Sequence, residues 1–270
     1  VKYIIAGIVA VSLWVAPVPA GLSVDGMHFF IIFSMVILST ISNTFSITES
    51  VLYGLTFSIF TGFLDMPQAL AGYSSPITWL VVTAFLIANT VVKTGLGRRV
   101  ALQLVHGLGH STLGLGYAIC VAECLFATII PSNVARGGGL MAPIVFSMAE
   151  VLGSKPHQYP RKIGNFLVLI GAHANNISSA MFLTAMVANS VIVSLAADIY
   201  AVEFDWTMWF VGASVPGVLS SIVAPILIHR VTRPTITSLE PLRSHLRDEL
   251  QALGPMTWQE IGTGGVLGGL

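Results

Sequence analysis

The chain has 270 residues, of which 54% are hydrophobic and only 9% charged, and its formal net charge is zero. A soluble domain carries about 25% charged residues, so a chain with a mean hydropathy of +0.84 cannot clothe its surface for water and reads as an all-α polytopic membrane protein. Zero net charge removes the electrostatic basis for nucleic-acid binding, and Cys120 and Cys124, one helical turn apart in an apolar run, read as packing residues.

The elements follow in chain order. Residues 1–92 hold four apolar segments, Lys2–Val18, Met27–Ser46, Ser50–Leu64 and Ile77–Val92, each read as a transmembrane helix. Lys2 and the Ala16-Pro17-Val18-Pro19-Ala20 run also fit a secretory signal, but the many spans that follow favour a first helix. Pro17–Asp25 and Asp65–Pro76 read as connections. Residues 93–111 mix Arg98, Arg99, His106 and His110 with Leu and Val, which suits a helix lying along the membrane surface. His106 and His110 have the spacing of metal ligands, yet Gly107 and Gly109 weaken that helix and no acidic third ligand is near. No metal is expected.

Residues 112–152 form two apolar arms, Leu113–Ile130 and Leu140–Leu152, on either side of Pro131-Ser132-Asn133-Val134-Ala135-Arg136-Gly137-Gly138-Gly139. Both arms cross the bilayer, or they form a re-entrant hairpin whose tip stops inside it; the parity of the flanking loops fits either. An intramembrane tip must have its backbone satisfied by protein, water or ligand, because lipid offers no hydrogen bonds. Residues 163–229 contain Ile163–Ala197, too long for one straight helix, and a further span at Thr207–Ile228. Within the long segment, Gly171-Ala172-His173-Ala174-Asn175-Asn176-Ile177-Ser178-Ser179 is costly in lipid, and a helix broken there at the midplane, lining a site, explains it. Residues 230–257 read as a cytoplasmic amphipathic linker, with a helix over Thr237–Leu253 stopped by Gly254-Pro255. Residues 258–270 start another span, and the end of the chain inside it reads as that of a fragment.

Charge placement orients these spans. Of the twelve basic residues, Lys2, Lys93, Arg98, Arg99, Lys155, Arg161, Lys162, Arg230, Arg233, Arg243 and Arg247 fall in alternate loops or at the N-terminus. The other loops hold Asp25, Asp65, Asp198, Glu203 and Asp205. Basic loops stay cytoplasmic, which puts the N-terminus inside and the loops near residues 20, 70 and 200 outside. Arg136 alone breaks the pattern. A buried arginine pairs with an acid or with backbone more often than with a ligand. Glu123 and Glu150 are its candidate partners, and an anion contact is the alternative.

The Pro131–Gly139 sequence resembles the hairpin-tip motif of the divalent anion–sodium symporter family, centred on Ser-Asn-Thr, and is most similar to its citrate–succinate antiporter and 2-oxoglutarate–malate translocator branch. Lys93-Thr94-Gly95-Leu96-Gly97-Arg98-Arg99, Arg161-Lys162-Ile163-Gly164, Ser179-Ala180-Met181-Phe182-Leu183-Thr184-Ala185 and Gly254-Pro255-Met256 support the resemblance. It implies one of two inverted repeats, with a re-entrant hairpin and a broken helix, from a homodimeric inner-membrane transporter of a bacterium or plastid. It implies substrate contact by Ser132 and Asn133, with Val134 in the place of the motif's threonine and Asn175 and Asn176 near the second break. Thr128, Ser132 and Asn133 would hold sodium if transport is sodium-coupled. Ser42-Asn43-Thr44 matches the three-letter motif but has no hairpin around it and reads as coincidence.

The expected function is therefore secondary active transport of di- or tricarboxylates such as succinate, malate, citrate and 2-oxoglutarate, by anion exchange, with sodium symport as the alternative. No cofactor is expected beyond sodium as a coupling ion. Two other classes compete. An intramembrane enzyme using His173 with a nearby serine lacks both a nucleophile elbow and a zinc-ligand pair. A non-transporting dimeric half-protein is motivated by the missing second repeat.

Overall fold

The computed structural model describes residue 12 and residues 14–269; most of the expected Lys2–Val18 span lies outside them. Among the described residues every regular element is helical. The chain divides into two compact units, one running to Thr78 and one beginning at Trp79.

The first unit contains α1 (Val24–Ile41), α2 (Ile47–Phe60) and α3 (Met66–Ser74). Each starts on a side chain that accepts an otherwise orphaned N–H: Ser23 for α1, Ser46 for α2 and Asp65 for α3. Glu49 and Gln68 close capping boxes on the last two. The segment expected to be a plain connection from Asp65 to Pro76 is thus a helix, and Asp65-Met66-Pro67-Gln68 is the capping signal that marks its start. Ser42-Asn43-Thr44 forms the turn between α1 and α2, with Asn43 in the left-handed region at a φ of 52°. The two helices touch closely, since a Cβ on Gly54 would lie 2.6 Å from a Val36 methyl. Ser39 and Ser50 share a hydrogen bond of 2.7 Å across them. Phe29, Phe30, Phe33, Leu38 and Ile41 of α1 stay exposed.

The second unit holds α4 (Pro76–Thr94, all but its first residues), α5 (Leu96–Leu108), α6 (Thr112–Ala127), a π-helix (Ala135–Met141), α7 (Ala142–Val151), α8 (Gly164–Met181), a single 3-10 turn (Leu183–Ala185), α9 (Val187–Tyr200), α10 (Trp206–Thr232), α11 (Glu240–Ala252) and α12 (Trp258–Gly268). Helix α8 is its centre and packs against α6, α7 and α10. Phe166, Leu167, Ile170 and Ala174 of α8 meet Ile119, Ala122 and Phe126 of α6 and Ile144, Val145 and Met148 of α7 in one core. Gly116 lets α6 come close, for a Cβ there would lie 2.8 Å from the Phe166 ring. Ala88 and Val91 of α4 belong to this same core, so all of α4 from Trp79 onward goes with the second unit.

The two amphipathic segments are helices α5 and α11, packed together through Ala101, Leu102 and Val105 on one and Leu242 and Leu246 on the other. Helix α11 ends just before Gly254, at a φ of 59°. Helix α10 carries Pro216 and Pro225 in its interior and turns Val211, Val215, Leu219 and Ile222 outward. Both α1 and α10 are long and apolar enough to cross a bilayer.

The long segment from Ile163 is broken, but not where its polar residues suggested. Helix α8 runs through Asn175-Asn176 without interruption to Met181, and the break spans Phe182–Met186, whose two end residues are extended. The i, i+3, i+4 spacing of Asn175, Ser178 and Ser179 puts all three on one face of an intact helix, where neighbouring protein satisfies them.

Candidate functional site

Two interrupted backbones meet in the second unit. One is the Pro131–Val134 tip between α6 and the π-helix; the other is the break after α8. Interruption leaves carbonyls without partners, and a single guanidinium collects one from each of the two breaks. Arg136, fully buried, donates from Nη1 to the carbonyls of Ile130 at 2.9 Å and Ala185 at 3.4 Å. Its Nη2 donates to Ser179 Oγ at 2.6 Å, Ser178 Oγ at 3.3 Å and the Asn175 carbonyl at 3.5 Å. Its Nε donates to Glu123 Oε2 at 2.8 Å, and both members of that ion pair have no exposed side-chain surface.

Glu123 lies on the buried face of α6 with Ile119, Ala122 and Phe126. Its Oε2 also accepts from Asn175 Nδ2 at 3.1 Å. The same Asn175 amide nitrogen donates to the Asn133 carbonyl at 3.1 Å. Gly137 makes room for it, since a Cβ there would stand 2.9 Å from Asn175 Nδ2. On the far side of the break, buried Asn189 donates to the carbonyls of Ser179 and Phe182 at 2.8 and 3.0 Å. The result is a dry, charge-neutral knot binding the tip to α8 and to its broken end.

The family model of the sodium:sulfate symporter transmembrane region matches residues 1–267. The chain belongs to that family. It is 37% identical over 97% of its length to a putative malate transporter, YflS, of Bacillus subtilis, covering 55% of that protein. It is 37% identical over 92% of its length to the chloroplastic dicarboxylate transporter 1 of Arabidopsis thaliana, covering 45% of it. An L-tartrate/succinate antiporter of Escherichia coli matches 90% of the chain, which covers 54% of that protein, at 32% identity. The chain thus spans about half the length of the curated relatives it matches. Membership of the sodium:sulfate symporter family makes it an integral membrane protein, the class its composition demands.

In this family member the expected site residues fall into two groups. Ser132, Asn133, Arg136 and Asn175 come together in or beside the knot. Ser132 is buried, and its Oγ accepts from the Ala135 N–H at 3.1 Å. Asn133 is half-buried and engaged through its carbonyl, while its side-chain amide has no hydrogen bond to any described residue. Val134 is 75% exposed at the tip. Thr128 and Asn176 lie outside the knot: Thr128 is exposed and donates to the Leu125 carbonyl at 2.7 Å, and Asn176 is exposed on α8.

Of the two carboxylates named as partners for Arg136, the structure selects Glu123. Glu150 instead sits at the exposed end of α7, 3.3 Å from Lys155. Every nitrogen of the Arg136 guanidinium is bonded and none of its surface is exposed, so in this arrangement it presents no face to an anion. Ser178, Ser179 and Asn189 complete the knot. The first two stood out in the sequence only as polar residues costly in lipid; Asn189 is a lone amide in the apolar run from Val187 to Ala197. That amide is the signal that could have located the break.

Proposed function

We propose that this chain is one half of a secondary active transporter of di- and tricarboxylates, of the succinate, malate, citrate and 2-oxoglutarate class, and that the complete protein works by anion exchange as a homodimer in an inner membrane. The observation that carries the reading is the tip itself. Ser132 and Asn133 stand at an interrupted backbone, and the Asn133 amide has no hydrogen bond to any described residue. A hydroxyl and an amide on a fixed turn suit recognition of a carboxylate. The relatives whose names include malate, dicarboxylate and tartrate/succinate support the substrate class.

Exchange is favoured over sodium symport by the antiporter among the relatives, and the oxygen-rich centre behind the tip, which is not the expected Thr128, Ser132 and Asn133 set, already holds a cation. The carbonyls of Ile130, Asn175 and Ala185 and the hydroxyls of Ser178 and Ser179 are the hard oxygen ligands an alkali cation would take, and the guanidinium of Arg136 already occupies them. A resident cation cannot travel with the substrate. Moving a dianion inward against 100 mV costs about 4.6 kcal/mol, at about 2.3 kcal/mol per charge, and outward movement of a second dianion cancels that cost.

The test is counterflow. Proteoliposomes holding the complete protein and preloaded with succinate should accumulate labelled succinate, malate, citrate or 2-oxoglutarate in sodium-free buffer. Uptake that requires sodium would replace exchange by symport. No counterflow with any of the four would sink the transport reading and leave the non-transporting dimer.

A further inference from the structure

The tip is where recognition is proposed, and there Ser132 caps a helix that begins at Asn133. Beyond that helix's own backbone, the hydrogen bonds of residues 131–134 among the described residues are local, from the Ala135 N–H to Ser132 Oγ and from the Arg136 N–H to the Ser132 carbonyl, with one exception. The exception is the bond from Asn175 Nδ2 to the Asn133 carbonyl, spanning 42 residues. Asn175 is itself aimed by its second N–H, which meets Glu123 Oε2. That oxygen is the junction of the arrangement, accepting from Arg136 and Asn175 together, while Glu123 Oε1 is buried without a partner among the described residues.

We propose that Asn175 and Glu123 are positioning residues of the tip: the Asn175 amide, oriented by Glu123, fixes the Asn133 carbonyl and thereby presents the side chains of Ser132 and Asn133 to a carboxylate. Asn175 therefore acts through Asn133 and does not touch the substrate, because an amide NH2 has two donors and both are committed. The choice of asparagine follows from this geometry. Aspartate cannot donate, and it would set a second carboxylate against Glu123. Gly137 is part of the same device, since only a residue without a Cβ leaves the Asn175 amide its place. Arg136 supplies the countercharge that lets a carboxylate act as acceptor in a dry interior.

The kinetic half of this inference rests on the transport reading; the structural half does not. The experiment uses the complete protein with its native cysteines replaced by alanine and a spin label on Val134→Cys, a position that is exposed at the tip. In liposomes, N175A and N175D should both free the label, N175D at least as much as N175A. E123Q, which keeps an acceptor oxygen, should free it less. In counterflow, N175A should raise KM about tenfold, the scale of one buried hydrogen bond to a recognition loop, and leave the maximal rate within about twofold. A purely structural role would lower the yield of folded protein and leave KM alone.

Label motion unchanged in N175D and E123Q would overturn the proposal, as would an N175A carrier of normal KM. If the asparagine variants do not fold, an E123Q label as immobile as the parent's overturns it and a partly freed one supports it. A parent protein without counterflow would end the transport reading, and the label would still decide whether Asn175 holds the tip.

Discussion

Two arginines in the second unit, Arg136 and Arg99, gather loose carbonyls beside a glutamate, and they differ in how dry they are and in what they join. Arg136 ties the tip to the broken end of α8, and its pair with Glu123 has no exposed surface at all. Arg99, on α5, reaches Glu260 Oε1 and Oε2 at 2.7 and 3.1 Å and the carbonyls of Leu253, Gly254 and Pro255. It thereby fastens the turn between α11 and α12, and its pair keeps 8% and 3% of side-chain exposure. The hydrogen bond to Glu260 raises the Arg99 guanidinium further above its ordinary range. The lesson is one of context. A guanidinium with a carboxylate is a general device for ending broken helices, but only where water is excluded does removal of one partner strand a charge.

Substitutions at and around the two clasps should differ in the size of their effects. The largest effect belongs to R136A, which leaves Glu123 buried and unpaired at a cost of about 3–5 kcal/mol; the detergent-solubilised complete protein should lose its monodisperse folded peak in size-exclusion chromatography. The double variant E123A/R136A should recover part of that peak, since it removes both charges. R99A comes next. It frees three carbonyls at an edge that water can reach, so the protein should stay folded and melt below the parent, but well above any R136A protein that survives. An R99A loss as severe as that of R136A would show that dryness is not what separates the two clasps.

G137A is smaller still, about 1–3 kcal/mol of overpacking, because its methyl group would press on the Asn175 amide from 2.9 Å. It should raise KM in counterflow more visibly than it lowers the melting temperature. The smallest effect belongs to R98A. Arg98 pairs with Glu249 at 3.0 Å, but 52% of its side chain is exposed, and such pairs contribute about 0–1 kcal/mol. Its melting curve should overlay the parent's.

Several parts of this arrangement were legible in the sequence, and the misses have physical causes. The arms, the amphipathic helices and the stop at Gly254-Pro255 follow from apolar run length and from residues that cannot continue a helix. The register of the break does not. Phe182-Leu183-Thr184-Ala185-Met186 contains neither glycine nor proline, and what holds it open is tertiary: the Ala185 carbonyl on Arg136 and the helix-end carbonyls on Asn189. Of the polar run expected to mark the break, Asn175, Ser178 and Ser179 instead form a helix face turned toward that arginine, while His173 and Asn176 are exposed. Helix α3 was missed for another reason: apolar length outweighed a capping signal already present at Asp65 and Gln68.

Hydropathy and short motifs are local properties of the chain, and they suffice for the membrane class, the sites of the apolar elements, the Ser-Asn tip and the kinship with anion transporters. The pairing of Arg136 with Glu123, 13 residues away across a non-helical turn, and the reach of Asn175 back over 42 residues to the Asn133 carbonyl are visible in the packed fold alone. Those contacts depend on how α6 and α8 pack, and no spacing along the chain encodes where two helices will touch.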